Sequence, residues 1–445
     1  MKVTKVQTMY TRKDIITEQR LDSLRRIRNE KRRQRFDRLI PLMGEAAVAE
    51  VEELYRMFDE RMLIWYAGLW EPDIGGFYFS NSARDHEGFL PDLESTNQAI
   101  GFITTQCDIL PEGAMPITAI PSRFAEKICA FAYEKQDEDG YFYHPQWGKS
   151  IPATRRGRDL MAAWRLIEPL GKECRYLRPG KGPKTSAPAP TVPEYLHSTE
   201  AFASWLDGQN IETRSYQFGH YINSTCGQII ARGEEYVRVL VDWLNAHQFP
   251  ENGLWEPTVN YNSVSGLMKL GMCYPDLKAT LPYPEKSFES ARAALLSDEP
   301  VTFSCEFYNA WAAMQASLRS MELSGNDALA EKYRERLRKE APRMIRTTGE
   351  KIAACAVDDG SFAYFTASSG KVCHTSQGVT VARDDVREGD INGNGCSTKA
   401  PLTHMFNAFG VSMPPMFTPE DAELLFELMD ARVAVEKQPL PKKSN

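Results

Sequence analysis

Six short polar stretches hold the residues best suited to chemistry, and each lies at or just before an apolar helical run. GFLPDLESTNQ supplies Asp92 and Glu94, IPATRRGRDL supplies Arg155, Arg158 and Asp159, and SYQFGHYIN supplies Tyr216, His220 and Asn223. VNYNS adds Tyr261 and Asn262, SCEFYNAW adds Glu306 and Asn309, and EGDINGNGCSTKAPLTH adds Asp390 and His404. Two reactions fit these residue types. Two carboxyl groups about 5 to 9.5 Å apart, one acid and one base or nucleophile, cleave a glycosidic bond with water. A Tyr or His base, beside Asn, His or Arg groups that stabilise an enolate-like charge, eliminates across a uronate.

For hydrolysis the candidates are Glu94 with Glu306 or Asp159, and Asp92 and Asp390 in reserve; for elimination they are His220, Tyr261, Asn223 and Arg158. Arg155, Arg156 and Arg158 form a local cationic cluster for a short uronate. Substrate contacts are expected from Arg155, Arg158, His144, Trp147, Asn223, Trp255, Asn262, Asn309, Asp390 and His404. Trp147, in the polar loop HPQWGK, is the preferred platform for a sugar ring, with Trp255, Tyr261 and Trp311 behind it. Each residue also has a plain role open to it. Asp92 can be a helix N-cap with Glu94 favoured in the first turn, Asp159 can pair with an arginine, and His220 and His404 can be satisfied core residues. At least half of the aromatic candidates are expected to be packing.

DINGNG, from Asp390 to Gly395, matches the first half of a calcium loop, but its twelfth position is Pro401 where a bidentate glutamate is needed. It reads as a glycine-rich loop bending over the site. No metal or cofactor is called for.

Something must bring these stretches together. Four segments place an aromatic just after a glycine: IGGFYF, DEDGYFY, ENGLWEP and DDGSFAYF. Glycine permits positive φ past a helix end, and the following aromatic can fold back over that end, so each reads as a helix-to-helix connector. Their spacing suggests a unit of about 57 residues, a helix pair with a substantial loop. Candidate inner helices run from Leu93, Arg158, Phe218, Tyr261, Cys305 and Lys399, with more amphipathic segments between them as an outer layer. The expected class is all-α, an (α/α)6 toroid of inner and outer helices with short β-like connectors, and an open helical solenoid is the alternative. In a toroid the starts of the inner helices gather at one mouth.

A net charge of -7 and a pI near 5.7 give no general attraction to nucleic acid or anionic membranes, and 42% apolar residues suffice for a large core. No run reaches the roughly 18 apolar residues of a membrane span, and the first residues lack a secretory signal, so the expected location is the cytoplasm. Nine cysteines without a C-x-x-C pair argue against a zinc cluster or a disulfide framework, and they read as reduced core or loop thiols. The expected organisation is a basic helical arm over 1–40, a toroid over 41–435 with a loop insertion at about 176–193, and a disordered tail over 436–445. Eleven Lys or Arg against five Asp or Glu between Arg12 and Arg38 suit a solvated helix or an arm that packs a homo-oligomer, ahead of a nucleic-acid arm.

QFPENGLW resembles the repeat of terpenoid cyclases and prenyltransferases, while GGFYFS and DGYFYH resemble connectors in toroidal carbohydrate enzymes. The resemblance is to architecture, over about residues 70 to 410. It implies glycoside hydrolysis of oligosaccharides first and, second, oligosaccharide or polysaccharide elimination by the Asn, His, Tyr and Arg of inner helices. A terpenoid cyclase ranks third, because the protonating D-x-D-D motif is absent and the mouth is too polar; a non-catalytic glycan or peptide scaffold ranks fourth.

Overall fold

The apolar periodicity becomes helix almost everywhere. The computed structural model describes residues 15–179, 192–366, 375–376 and 378–441, and the chain is all-α. Most of the expected insertion, at 180–191, and parts of the arm and tail lie outside the described residues. In chain order the main helices are α1 (Glu18–Asp37), α2 (Glu45–Tyr55), α3 (Glu60–Leu69), α4 (Leu93–Gln106) and α5 (Ser122–Tyr133). They continue with α6 (Ala153–Ile167), α7 (Thr199–Asp207), α8 (Ile211–Arg232), α9 (Glu234–His247) and α10 (Tyr261–Gly271). The last are α11 (Pro284–Leu295), α12 (Cys305–Leu323), α13 (Asp327–Ala353), α14 (Ala400–Ala408) and α15 (Pro419–Asp430).

Two sets of helices can be told apart by packing. In the first set α4 packs on α6, α8 on α10, α10 on α12 and α12 on α14, and the turn Ile391–Asn394 ahead of α14 returns to α4. In the second set α5 backs α6, α9 backs α8, α11 and α13 back α12, α13 meets α2, and α15 meets α3. One buried apolar cluster extends from Ile15 to Met429, so the first and last described helices share a core.

The connectors repeat at the level of individual hydrogen bonds. In DEDGYFY the amides of Asp137, Gly140 and Tyr143 reach the carbonyls of Tyr141, Asp137 and Lys135, each at 2.9 Å. In DDGSFAYF the amides of Val357, Gly360 and Ala363 reach Ser361, Val357 and Cys355 at 2.9, 3.0 and 2.8 Å. QFPENGLW makes a wider version: Gln248 donates Nε2 to the Gly253 carbonyl at 2.7 Å, and Trp255 donates Nε1 to Leu244 at 2.8 Å. Gly253 and Gly360 have φ of +65° and +83° and also yield space. A Cβ on Gly253 would stand 2.3 Å from the Ser287 amide of α11, and one on Gly360 would stand 2.4 Å from Arg61 Cβ of α3. The connector after α13 therefore rests on a helix near the start of the chain.

Two arginines of the basic arm lie inside the protein. Arg28 of α1 is buried and bonds both Glu60 and Asp421, while Arg32 donates to the carbonyls of Tyr55, Phe58 and Met416. These two form an internal clamp between α1, α3 and α15. The tail also departs from expectation as far as Pro441. Gln438 bridges to His86, and Lys437 donates Nζ to the carbonyls of Ala83, His86 and Phe89.

Candidate active site

The starts of α4 and α6 meet in a buried ion network. Asp92 caps α4, accepting the Ser95 amide at 3.0 Å and its hydroxyl at 2.6 Å. Arg155, fully buried in the first turn of α6, donates to Asp92 at 2.9 Å, to Glu94 at 3.0 Å and to Asp159 at 3.2 Å. Arg158, one turn on, holds the other Glu94 oxygen from a partly exposed position. In direct contact, two guanidiniums face three carboxyl groups.

Burial, more than this imbalance, favours a proton on Asp159. Burial pushes the Asp159 carboxyl up to about 7 against the pull of Arg155, and the negative charges of Asp92 and Glu94 push the same way. One Asp159 oxygen, although 2.9 Å from Arg155, lies off the line of any hydrogen bond. Arg155 is held well above its usual range: burial opposes its charge, but the three carboxylates outweigh that penalty. Trp147 covers Arg155 at 4.8 Å and stacks on His144 at 4.0 Å. His144 donates Nε2–H to the Pro91 carbonyl at 2.8 Å and is pushed down to about 4 by burial, so it is a neutral wedge. Asp92 and Asp159 take the plain roles open to them, as cap and arginine partner.

A second group of polar side chains, carried by the first helix set, is partly exposed. It includes Gln98 on α4, Arg158 on α6, Tyr216 and His220 on α8, Lys269 on α10, Cys305, Tyr308 and Gln315 on α12, and His404 on α14. Direct contacts tie part of the group together. His404 pairs with Gln315 at 2.5 Å and lies 5.2 Å from the Tyr308 ring, while Tyr364 donates its hydroxyl to Cys305 Sγ at 3.4 Å. His404 is pushed down to about 4 by burial. His220 is lowered by burial and by the positive charges of Lys269 and Arg158; Lys269 is lowered by burial, which outweighs the pull of nearby cysteines. Arg158 and Lys269 are the basic groups here besides the histidines, and the buried Glu94 carboxylate is held by two arginines.

The remaining candidates lie elsewhere. Glu306, at the start of α12, accepts the Thr302 amide at 2.6 Å and hydroxyl at 2.9 Å, and burial raises it. Tyr261 is buried, receives Lys351 Nζ at 2.6 Å and contacts the Glu299 carbonyl at 3.4 Å, on the side of a pocket of about 420 Å³ that includes Ser297, Glu299 and Lys351. Trp255 and Trp311 are core. Asn309 is buried against Ser265 at 2.9 Å, Asn262 leans on Glu256 at 3.3 Å, and Asn223 is an exposed residue touching Cys273 Sγ at 3.6 Å. Asp390 caps the turn Ile391–Asn394 and accepts the Tyr364 amide at 3.0 Å.

Sequence reasoning missed Lys269, Cys305, Tyr308, Gln315 and Tyr364. Lys269 had a signal: it is a lone charge in the apolar run SGLMKLG. Among the described residues no three His, Cys, Asp or Glu gather as a metal site, and no helix is long and apolar enough to cross a membrane. The chain matches no protein-family model, no curated protein and no solved structure.

Proposed function

We propose that the first helix set closes into the inner ring of an α/α toroid, and that the protein is a carbohydrate-active enzyme cleaving uronate-containing oligosaccharides by elimination. One observation carries this reading. Lys269 and Arg158 are partly exposed on these helices, and the carboxylates that hydrolysis would require are engaged by arginines or backbone amides. A uronate carboxylate complements Lys269 and Arg158. His220, kept neutral by burial and by the cations beside it, takes the proton adjacent to that carboxylate, and Lys269 and Arg158 stabilise the enolate-like charge. The glycosidic oxygen leaves with a proton from Tyr216 or Tyr308. Both phenols are raised by burial and so stay protonated at neutral pH.

Hydrolysis retains one supporting observation: Asp159 holds a proton near neutral pH, as a general acid must. Its burial behind Arg155 places it second. Variants separate the two readings. Lys269→Met and His220→Gln should each lower turnover of uronate oligosaccharides by about 100-fold or more with unchanged melting, whereas Glu306→Gln should leave it within a few-fold. Loss of activity in Glu306→Gln with full activity in both cation-site variants would reverse the assignment.

A further inference from the structure

The connector QFPENGLWEP sends a carboxylate into the junction of two helices. Glu256 is buried, and its Oε1 accepts the Ser215 amide of α8 at 3.0 Å and the Ser215 hydroxyl at 2.6 Å. Asn262 Nδ2, in the first turn of α10, reaches the same oxygen at 3.3 Å. Ser215 follows a kink in α8, where Arg214 leaves helical geometry with φ of -140° and ψ of 35°. Glu256 thus supplies, from outside the helix, the cap that the straight part of α8 needs, and the helix dipole favours a carboxylate at that end. Tyr216 and His220 lie on this straight part.

Beyond the cap, α8 and α10 approach as closely as backbones allow. A Cβ on Gly219 would stand 2.8 Å from Lys269 Cβ and 3.4 Å from the Gly266 carbonyl oxygen, and a Cβ on Gly266 would stand 2.7 Å from Ser215 Cβ. Glycine is unfavourable inside a helix, and the close approach accounts for both of these. Ser215 therefore packs on Gly266 and the stem of Lys269 packs on Gly219, the residue before His220. The charges that reach His220 are those of Lys269 on α10 and Arg158 on α6.

We propose that Glu256 is a positioning residue of the elimination site: by holding Ser215 on Gly266 it fixes α8 against α10 and so sets His220 beside Lys269. The inference rests on His220 being the base of that reaction, and Glu256, buried between the helices, acts through it. Methionine at this position leaves the Ser215 amide and hydroxyl without their acceptor and frees α8 to shift on α10. Glutamine keeps an acceptor oxygen for both.

The test follows the histidine ring signals of the full chain by NMR across pH, with His220→Gln assigning the His220 signal. Lys269→Met should raise the His220 titration midpoint by about half a pH unit or more, because a nearby positive charge is lost. Glu256→Met should move it the same way and leave His404 in place, whereas Glu256→Gln should titrate as the wild type does. Gly219→Ala, whose new Cβ drives Lys269 away, should reproduce Glu256→Met and decides the matter by the same readout should Glu256→Met not fold. A His220 midpoint unchanged in Lys269→Met, or unchanged in Glu256→Met and Gly219→Ala, would overturn the proposal. So would a shift of His404 as large as that of His220, which would mark a general loosening. No glycan enters the measurement, so a failure of the elimination reading shows in turnover alone.

Discussion

At the residue scale, Asp159 and Lys269 represent two ways of placing an ionisable group in a protein interior. Asp159 lies in an excess of carboxylates and holds its proton to about 7, far above its ordinary 3.8. A raised folded-state value means that its contribution to stability is complete below about pH 4 and is lost as pH rises through 7. Asp159→Asn removes that loss, so wild type should fall behind the variant by on the order of 3 kcal/mol between pH 4 and pH 8 in urea titrations. His144 and His404 act oppositely. Both are depressed to about 4, so their contribution is present above about pH 6.5 and is lost as pH falls toward 4. Comparing the variant with wild type at each pH cancels them. A constant difference across the range would mean that Asp159 is ionised throughout.

The same network makes Arg155 costly to remove. Arg155→Met leaves Asp92, Glu94 and Asp159 buried around an apolar side chain and should destabilise by about 3 to 5 kcal/mol in urea unfolding. A loss below about 1 kcal/mol would mean that water or Lys135, whose charge also reaches Asp92 and Asp159, replaces the guanidinium. Residue type alone singled out Asp92, Glu94, Arg155, Arg158 and Asp159, and these five do converge. It also suggested Glu306 and Tyr261, which face other partners. Helix position was legible there but side-chain direction was not, because a residue in a first turn can point toward a neighbouring helix, toward solvent, or back to its own loop.

At the scale of elements, the helix starts at Leu93, Tyr261 and Cys305 match the apolar periodicity, while α6 and α8 begin earlier than Arg158 and Phe218. Their first turns, ATRRG and IETRS, are polar and hide from any pattern based on apolar spacing. The outer segment over 44–68 breaks in two because Asp59 accepts the Arg61 amide at 2.9 Å and caps a new helix. The connectors were legible for a sharper reason: glycine at positive φ leaves a chemical mark. Gly253→Ala adds backbone strain and drives a Cβ into the α11 backbone, so a loss of about 2 to 4 kcal/mol is expected in thermal or urea melts. Gly101→Ala, in α4 with open space at the Cβ position, should be neutral or slightly stabilising. Equal effects at both sites would remove close approach as the reason for the glycine.

Across the whole molecule, α1 joins elements far apart in sequence. Arg28 connects α3 to α15, Arg32 reaches carbonyls on both sides, and the Gly360 connector rests on α3. Arg28→Met leaves Glu60 and Asp421 buried without their common partner, and a loss of about 3 to 5 kcal/mol with one cooperative transition is expected. An early, separate transition would show that α1 is an appendage. Composition had suggested a solvated or subunit-packing arm because charge counts carry no information about where the counter-charges lie. Those of Arg28 lie in α3 and α15, remote in sequence.

The central claim is that the cationic region between the first set of helices eliminates across uronates. The purified protein, incubated with a panel of neutral and uronate-containing oligosaccharides, gives the most direct test when product masses are read. The account predicts cleavage of uronate substrates alone, with fragments whose masses sum to the substrate without added water. A gain of one water per cleaved bond, or turnover confined to neutral oligosaccharides, would contradict it and return the chemistry to the carboxylates.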